Sequence, residues 1–102
     1  MNKIGAAVIG TGIYGEVHVR NYQADPRTEL VKIWSRSKER SEKIGKKYSC
    51  EYTTDLEQIA NDDRIKIVSI ATPDFAHTEA AVKMLQAGKH VLVEKPDRKS
   101  VV

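Results

Sequence analysis

Lys3-Ile4-Gly5-Ala6-Ala7-Val8-Ile9-Gly10-Thr11-Gly12-Ile13-Tyr14-Gly15 decides how this sequence folds. Residues 3–9 are small, apolar and β-branched, as in a strand buried on both faces. Glycines at 10, 12 and 15 follow at once, and from Ile13 to about Gln23 the spacing becomes helical, with Ile13 and Val17 on one face. A strand running through a glycine turn into a helix is the start of a βαβ unit.

Working outward, the same alternation continues. Pro26 disfavours helix at Asp25 and opens a turn, and Glu29–Trp34 reads as a second strand. Ser37 to Lys47 is a charged, largely exposed helix. Glu51-Tyr52-Thr53 reads as a short edge strand, and Thr54 or Asp55 caps a weak helix through Ile59 and Ala60. Ile65–Ala71 is the strongest strand signal. Pro73-Asp74 opens a helix in which Ala76, Ala80, Ala81, Met84 and Leu85 recur at helical spacing, and Gly88 stops it. His90–Val93 is the last strand. Strands alternating with helices predict a doubly wound α/β fold: about five parallel strands in the order 3-2-1-4-5, with helices on both faces. No repeat, low-complexity stretch or linker interrupts it.

Composition narrows the field. The 102 residues fit one domain, and 40% hydrophobic with 30% charged residues is a globular balance. No apolar run approaches the roughly 20 residues of a membrane span, and no signal-peptide pattern opens the chain. A single cysteine, Cys50, precludes an internal disulfide, and no Cys/His cluster has zinc spacing. The expectation is a cytoplasmic, metal-free protein without a membrane partner. A net charge of +3, interrupted by acids and lacking interleaved aromatics, reads as solvated surface and not as a nucleic-acid face.

Gly10-Thr11-Gly12-Ile13-Tyr14-Gly15 is a G-x-G-x-x-G in the one context that gives the pattern meaning. Gly10 permits a tight turn, Gly12 lets backbone approach a pyrophosphate, and Gly15 lets the helix pack close to the strand. The N–H groups of residues 12 to 15 face the anion, aided by the helix dipole. The target is a dinucleotide. An NAD site usually places a carboxylate about 20 residues further on, against the adenosine ribose. Ser35 stands there instead, within Ser35-Arg36-Ser37-Lys38. Serine removes the repulsion a carboxylate would exert on a 2′-phosphate, and Arg36 has the donors to hold one, so NADP is preferred over NAD. The plainer alternative is that Ser37 only caps the following helix and Arg36 is solvated.

Three motifs occur together: Gly10 to Gly15, Ala71-Thr72-Pro73 with His77, and Glu94-Lys95-Pro96. In this combination the sequence resembles the N-terminal domain of the Gfo/Idh/MocA oxidoreductases. The resemblance implies hydride transfer between a nicotinamide cofactor and a sugar, polyol or related hydroxyl substrate. It implies that Ala71, Thr72 and Pro73 line the cofactor, that His77 packs against the cofactor side of the cleft, and that Glu94 and Lys95 lie near the nicotinamide. Lys95 would be the catalytic proton carrier, its ammonium disfavoured by desolvation and a neighbouring cation. Pro96 resembles the family's cis-proline. Residues 1–96 then form the cofactor domain. Residues 97–102 do not resemble the family's continuation, which adds a helix, a strand and a second α/β domain bearing the substrate pocket. The chain is expected to be truncated, with an incomplete active site and with self-association open to it through its last strand. A stand-alone dinucleotide-binding module, without turnover, is the alternative.

Overall fold

The computed structural model describes residues 3–10, 12–71 and 74–93, and at 13, 14 and 74–77 the backbone alone. The elements run β1 (Ile4–Ile9), α1 (Ile13–Ala24), β2 (Thr28–Trp34), α2 (Lys38–Tyr48), β3 (Glu51–Thr53), α3 (Glu57–Ala60), β4 (Ile65–Ile70), α4 (Asp74–Gln86) and β5 (His90–Val93). All pairings are parallel, and the sheet order is β3-β2-β1-β4-β5, as expected from the alternation.

β1 is the central strand, and Ala6, Ala7, Val8 and Ile9 are each fully buried. Its side chains alternate between two cores. On one face Val8 packs with Val19 of α1, Leu30 and Ile33 of β2 and Ile44 of α2. On the other, Ala7 and Ile9 join Val31, Val68 and Ile70 beneath Ile59 of α3 and Ala80 and Met84 of α4. Helices therefore cover both faces, which is why β1 reads as a continuous apolar run and not as an alternating one.

Helix boundaries follow local chemistry. α1 stops at Asp25, which is extended before Pro26 and whose own N–H still reaches the Asn21 carbonyl at 3.1 Å. Ser37 Oγ accepts the Arg40 N–H at 3.3 Å and caps α2. Of the two caps expected for α3, Asp55 serves: its Oδ1 accepts the Glu57 N–H at 2.9 Å. α4 ends through Gly88 at φ 82°, where the Lys89 N–H returns to the Met84 carbonyl at 3.1 Å.

Two apolar positions at helical spacing lie outside the core. Val17 is exposed, and α1 instead turns Gly15 and Val19 inward, with Tyr22 half-buried. Tyr22 Oη and Ser69 Oγ share a 2.6 Å hydrogen bond that ties α1 to β4. Leu85 is likewise exposed, because α4 buries the row through Ala80 and Met84. In both helices the inward row is narrower than the apolar content of the sequence.

Charge is built into the amino-terminal end of the sheet. Lys32 and Lys89 are buried lysines. Lys89 Nζ donates to the carbonyls of Asp62 (3.0 Å) and Ile65 (2.8 Å). Lys32 Nζ lies 3.2 Å from the Asp62 carboxylate, which Arg64 also grips through Nε and a terminal nitrogen, at 2.9 and 2.6 Å. Arg64 makes two further 2.9 Å bonds to Glu51. The Arg64 bonds hold the Asp62 carboxyl well below the usual carboxylate range. At the edge, β5 leaves Leu92 and Val93 exposed.

Candidate functional site

The crevice forms where the chain order reverses. The Gly10 N–H donates to the Trp34 carbonyl and the Ala71 N–H to the Ile9 carbonyl, both at 2.8 Å. The loop after β1 thus leaves the sheet between the carboxyl ends of β2 and β4, the switch point at which open α/β sheets bind ligands. Gly10 turns the chain at φ 114°, a conformation that glycine adopts without strain.

The other two glycines serve different ends. Gly15 is buried, and a Cβ there would run into the Gly10 carbonyl, with the carbonyl carbon 2.7 Å away. Its lack of a side chain lets α1 sit directly on the turn. Gly12 is exposed at an ordinary φ of −76°, and a Cβ there would meet nothing within 4 Å. Neither its backbone angle nor its packing demands glycine at this position. What glycine does supply is open space beside the amino terminus of α1. The Glu16 N–H donates to the Gly12 carbonyl at 3.0 Å and closes the first turn. By helix geometry the N–H groups of Ile13, Tyr14 and Gly15 have no acceptor within α1. Room, free donors and the positive end of a helix dipole fit a pyrophosphate.

Glu16 puts an acid in that first turn, and its surroundings offset it. Its Oε1 accepts from Tyr48 Oη at 3.0 Å and lies 3.4 Å from Lys47 Nζ. The Tyr48 bond, with the two nearby cations Lys47 and Arg20, lowers its pKa and ties α1 to the end of α2.

At the end of β2, Ser35 is 5% exposed. Its N–H donates to the Thr53 carbonyl at 3.2 Å, and its Oγ accepts the Ser37 N–H at 3.3 Å. Arg36 and Lys38 are exposed beside it. Ser37 does cap α2, as the plainer alternative held, yet its hydroxyl keeps a proton to donate. No carboxylate stands at residues 35 to 38.

Gly10, Gly12, Gly15, Ser35 to Lys38 and Ala71 therefore lie at the carboxyl end of the sheet. Thr11, Thr72, Pro73, Glu94, Lys95 and Pro96 lie outside the described residues, as do the side chains of Ile13, Tyr14 and His77. The sequence pattern alone does not reveal the place of Trp34 or the Glu16–Tyr48 contact. The indole immediately before Ser35 was the visible signal for the first, whereas the second joins residues 32 apart and left none.

A five-stranded parallel sheet with a glycine turn at its switch point defines a Rossmann-type dinucleotide-binding domain. The chain belongs to the Gfo/Idh/MocA oxidoreductase family, whose NAD-binding Rossmann fold matches residues 4–100. It is 34% identical over 91 residues to a scyllo-inositol 2-dehydrogenase (NADP(+)) of Bacillus subtilis, covering 88% of this chain and 28% of the relative. Among solved structures it is similar to GenD2 of gentamicin A biosynthesis, in complex with NAD, at TM-score 0.89 and 34% identity over 94% of this chain and 28% of that one. It is also similar to KijD10, a 3-ketoreductase of Actinomadura kijaniata in complex with NADP and TDP-benzene. That match has TM-score 0.85 and 30% identity, over 93% of this chain and 30% of that one. The chain thus spans less than a third of the length of each of these proteins.

Proposed function

We propose that this chain is the cofactor-binding part of a cytoplasmic oxidoreductase that prefers NADP and acts on a sugar, polyol or related hydroxyl substrate. The observation that carries the cofactor reading is the end of β2, where Ser35-Arg36-Ser37-Lys38 stands in place of a carboxylate. Arg36 and Lys38 are exposed there, and a 2′-phosphate would meet guanidinium and ammonium with no opposing acid. The NADP(+)-dependent inositol dehydrogenase among its relatives supports both the cofactor and the substrate class.

The bound nicotinamide supplies the hydride acceptor or donor. In this reading Lys95 Nζ takes the substrate hydroxyl proton in oxidation and returns it in reduction. Gly12 makes room for the pyrophosphate, and Ala71, Thr72, Pro73, His77 and Glu94 line the cofactor side of the cleft. Residues 1–96 form the cofactor domain, 97–102 are a tail, and the substrate pocket comes from a further domain. A second reading is a dinucleotide-binding module without turnover, in keeping with a family match that lies within the NAD-binding Rossmann fold. Self-association through β5 fits either reading, since Leu92 and Val93 are exposed on that edge.

Titration of the chain with NADP and NAD, followed by incubation with sugars and polyols at the absorbance of the reduced nicotinamide, tests these readings. Tighter binding of NADP is expected, and tighter binding of NAD would overturn the preference. Reduction of the cofactor would favour the enzyme, and binding without reduction would favour the module.

A further inference from the structure

One buried donor beside this site has no partner among the described residues. Among the described residues, Trp34 Nε1 is the buried side-chain polar atom without a hydrogen bond. An indole nitrogen can only donate, and proteins rarely bury such a group unpaired, because its desolvation is uncompensated. Its place in the fold is informative. Trp34 is the last residue of β2, in register with Ile9 on one side and Thr53 on the other. Its carbonyl takes the Gly10 N–H, and Ser35 follows it directly. Its side chain packs against the core on the α3/α4 face, which includes Ile9 and Ile70, the last residues of β1 and β4. The orphaned donor therefore belongs to the residue joining the glycine turn to the residues that meet the adenosine end of a dinucleotide in this fold.

We propose that the Trp34 indole N–H is a binding donor for the adenosine half of the cofactor, giving its hydrogen bond to an unprotonated ring nitrogen of the adenine. This rests on the dinucleotide reading of the crevice. In the free domain the donor is closed off from solvent and unpaired, so pairing with the base requires the indole to turn toward the crevice as the cofactor binds. The interaction is thus formed only in the complex and contributes to affinity without contributing to the fold. An adenine ring nitrogen is the matching acceptor, since the phosphate and ribose groups are served by Gly12, the α1 terminus and Ser35 to Lys38.

Trp34→Phe keeps an aromatic ring and removes the N–H. The full chain and this variant are titrated with NADP, with adenosine 2′,5′-bisphosphate and with nicotinamide mononucleotide, and their folding is compared by circular dichroism. The variant is expected to bind NADP and the bisphosphate about fivefold or more weakly, with the mononucleotide unaffected and the fold retained. Equal affinity of variant and wild type for NADP, or a loss confined to the mononucleotide, overturns the proposal. A wild-type chain that binds neither NADP nor NAD overturns the dinucleotide reading itself, and this proposal with it. If the variant does not fold, the wild type still decides. Trp34 is the single tryptophan, so the chain gives one indole N–H resonance. At saturating NADP that resonance moves downfield and exchanges more slowly with water; an unmoved resonance overturns the proposal.

Discussion

Gly12 and Gly15 sit three residues apart in one motif and are expected to fail in opposite ways when changed to alanine. At Gly15 the new methyl group meets backbone, the Gly10 carbonyl, and no flexible side chain can yield. Alanine would ordinarily favour a helix by about 1 kcal/mol over glycine. Overpacking against a fixed neighbour costs about 1–3 kcal/mol, here toward the upper end because α1 must lift off the turn. The net expectation is a loss of about 1–2 kcal/mol. For a domain of this size that lowers the melting temperature by about 4–8 °C per kcal/mol. Cofactor affinity falls as well, since the helix terminus moves with the helix. At Gly12 the methyl group meets nothing within 4 Å, and φ is one that alanine adopts freely. The smaller entropy of the unfolded chain, about 0.4–1 kcal/mol, roughly balances the poorer helix cap. Stability should stay within about 0.5 kcal/mol of wild type, and NADP binding should be lost because the methyl group fills the ligand's space. Thermal unfolding by circular dichroism, paired with isothermal titration of NADP, reads both effects. A Gly12→Ala chain that binds like wild type would refute the assignment of that space to the pyrophosphate. A Gly15→Ala chain as stable as wild type would refute the packing account.

Arg36→Ala should weaken NADP about tenfold and leave NAD nearly unchanged, the size of one charge-assisted bond at an exposed site; equal losses for the two cofactors would remove Arg36 from the selection. Acid titration followed by circular dichroism tests the Asp62 network. Because its folded-state pKa lies below the unfolded value, the stability it contributes is complete above about pH 4 and is lost as pH falls toward the folded value. Asp62→Asn should flatten that part of the stability profile, and an unchanged acid profile would show the network to be idle. Burial, with the neighbouring Glu51 charge, pushes the Cys50 thiol up to about 11. Iodoacetamide at pH 8 should therefore modify the folded chain much more slowly than the urea-unfolded chain, and equal rates would contradict the burial.

What the sequence made legible was what local patterns encode. The apolar run of β1, the glycine turn and the Ile65–Ala71 strand carried the topology, because strands buried on both faces and helix starts leave short, contiguous signals. Ser35 to Lys38 could be placed by counting from Gly15. The inward faces of α1 and α4 were less legible. Val17 and Leu85 are apolar yet exposed, and α1 at least is oriented by contacts that periodicity does not see: a missing side chain at Gly15 and a tyrosine–serine bond at Tyr22. Lys32 and Lys89 carry no mark of burial, since their partners are largely backbone carbonyls and a distant carboxylate. Trp34 looked like one more strand aromatic, and only the three-dimensional surroundings leave its nitrogen alone.

The placement of β1 has a consequence for how the domain comes apart. Its side chains serve two cores at once, Val8 one and Ala7 and Ile9 the other. Peeling away either helical layer would expose one side of a strand whose remaining partners are still in place. Neither layer can therefore keep a sound wall once the other is gone. The two halves share one cooperative unit, and a disturbance in the glycine turn is felt on both sides of the sheet.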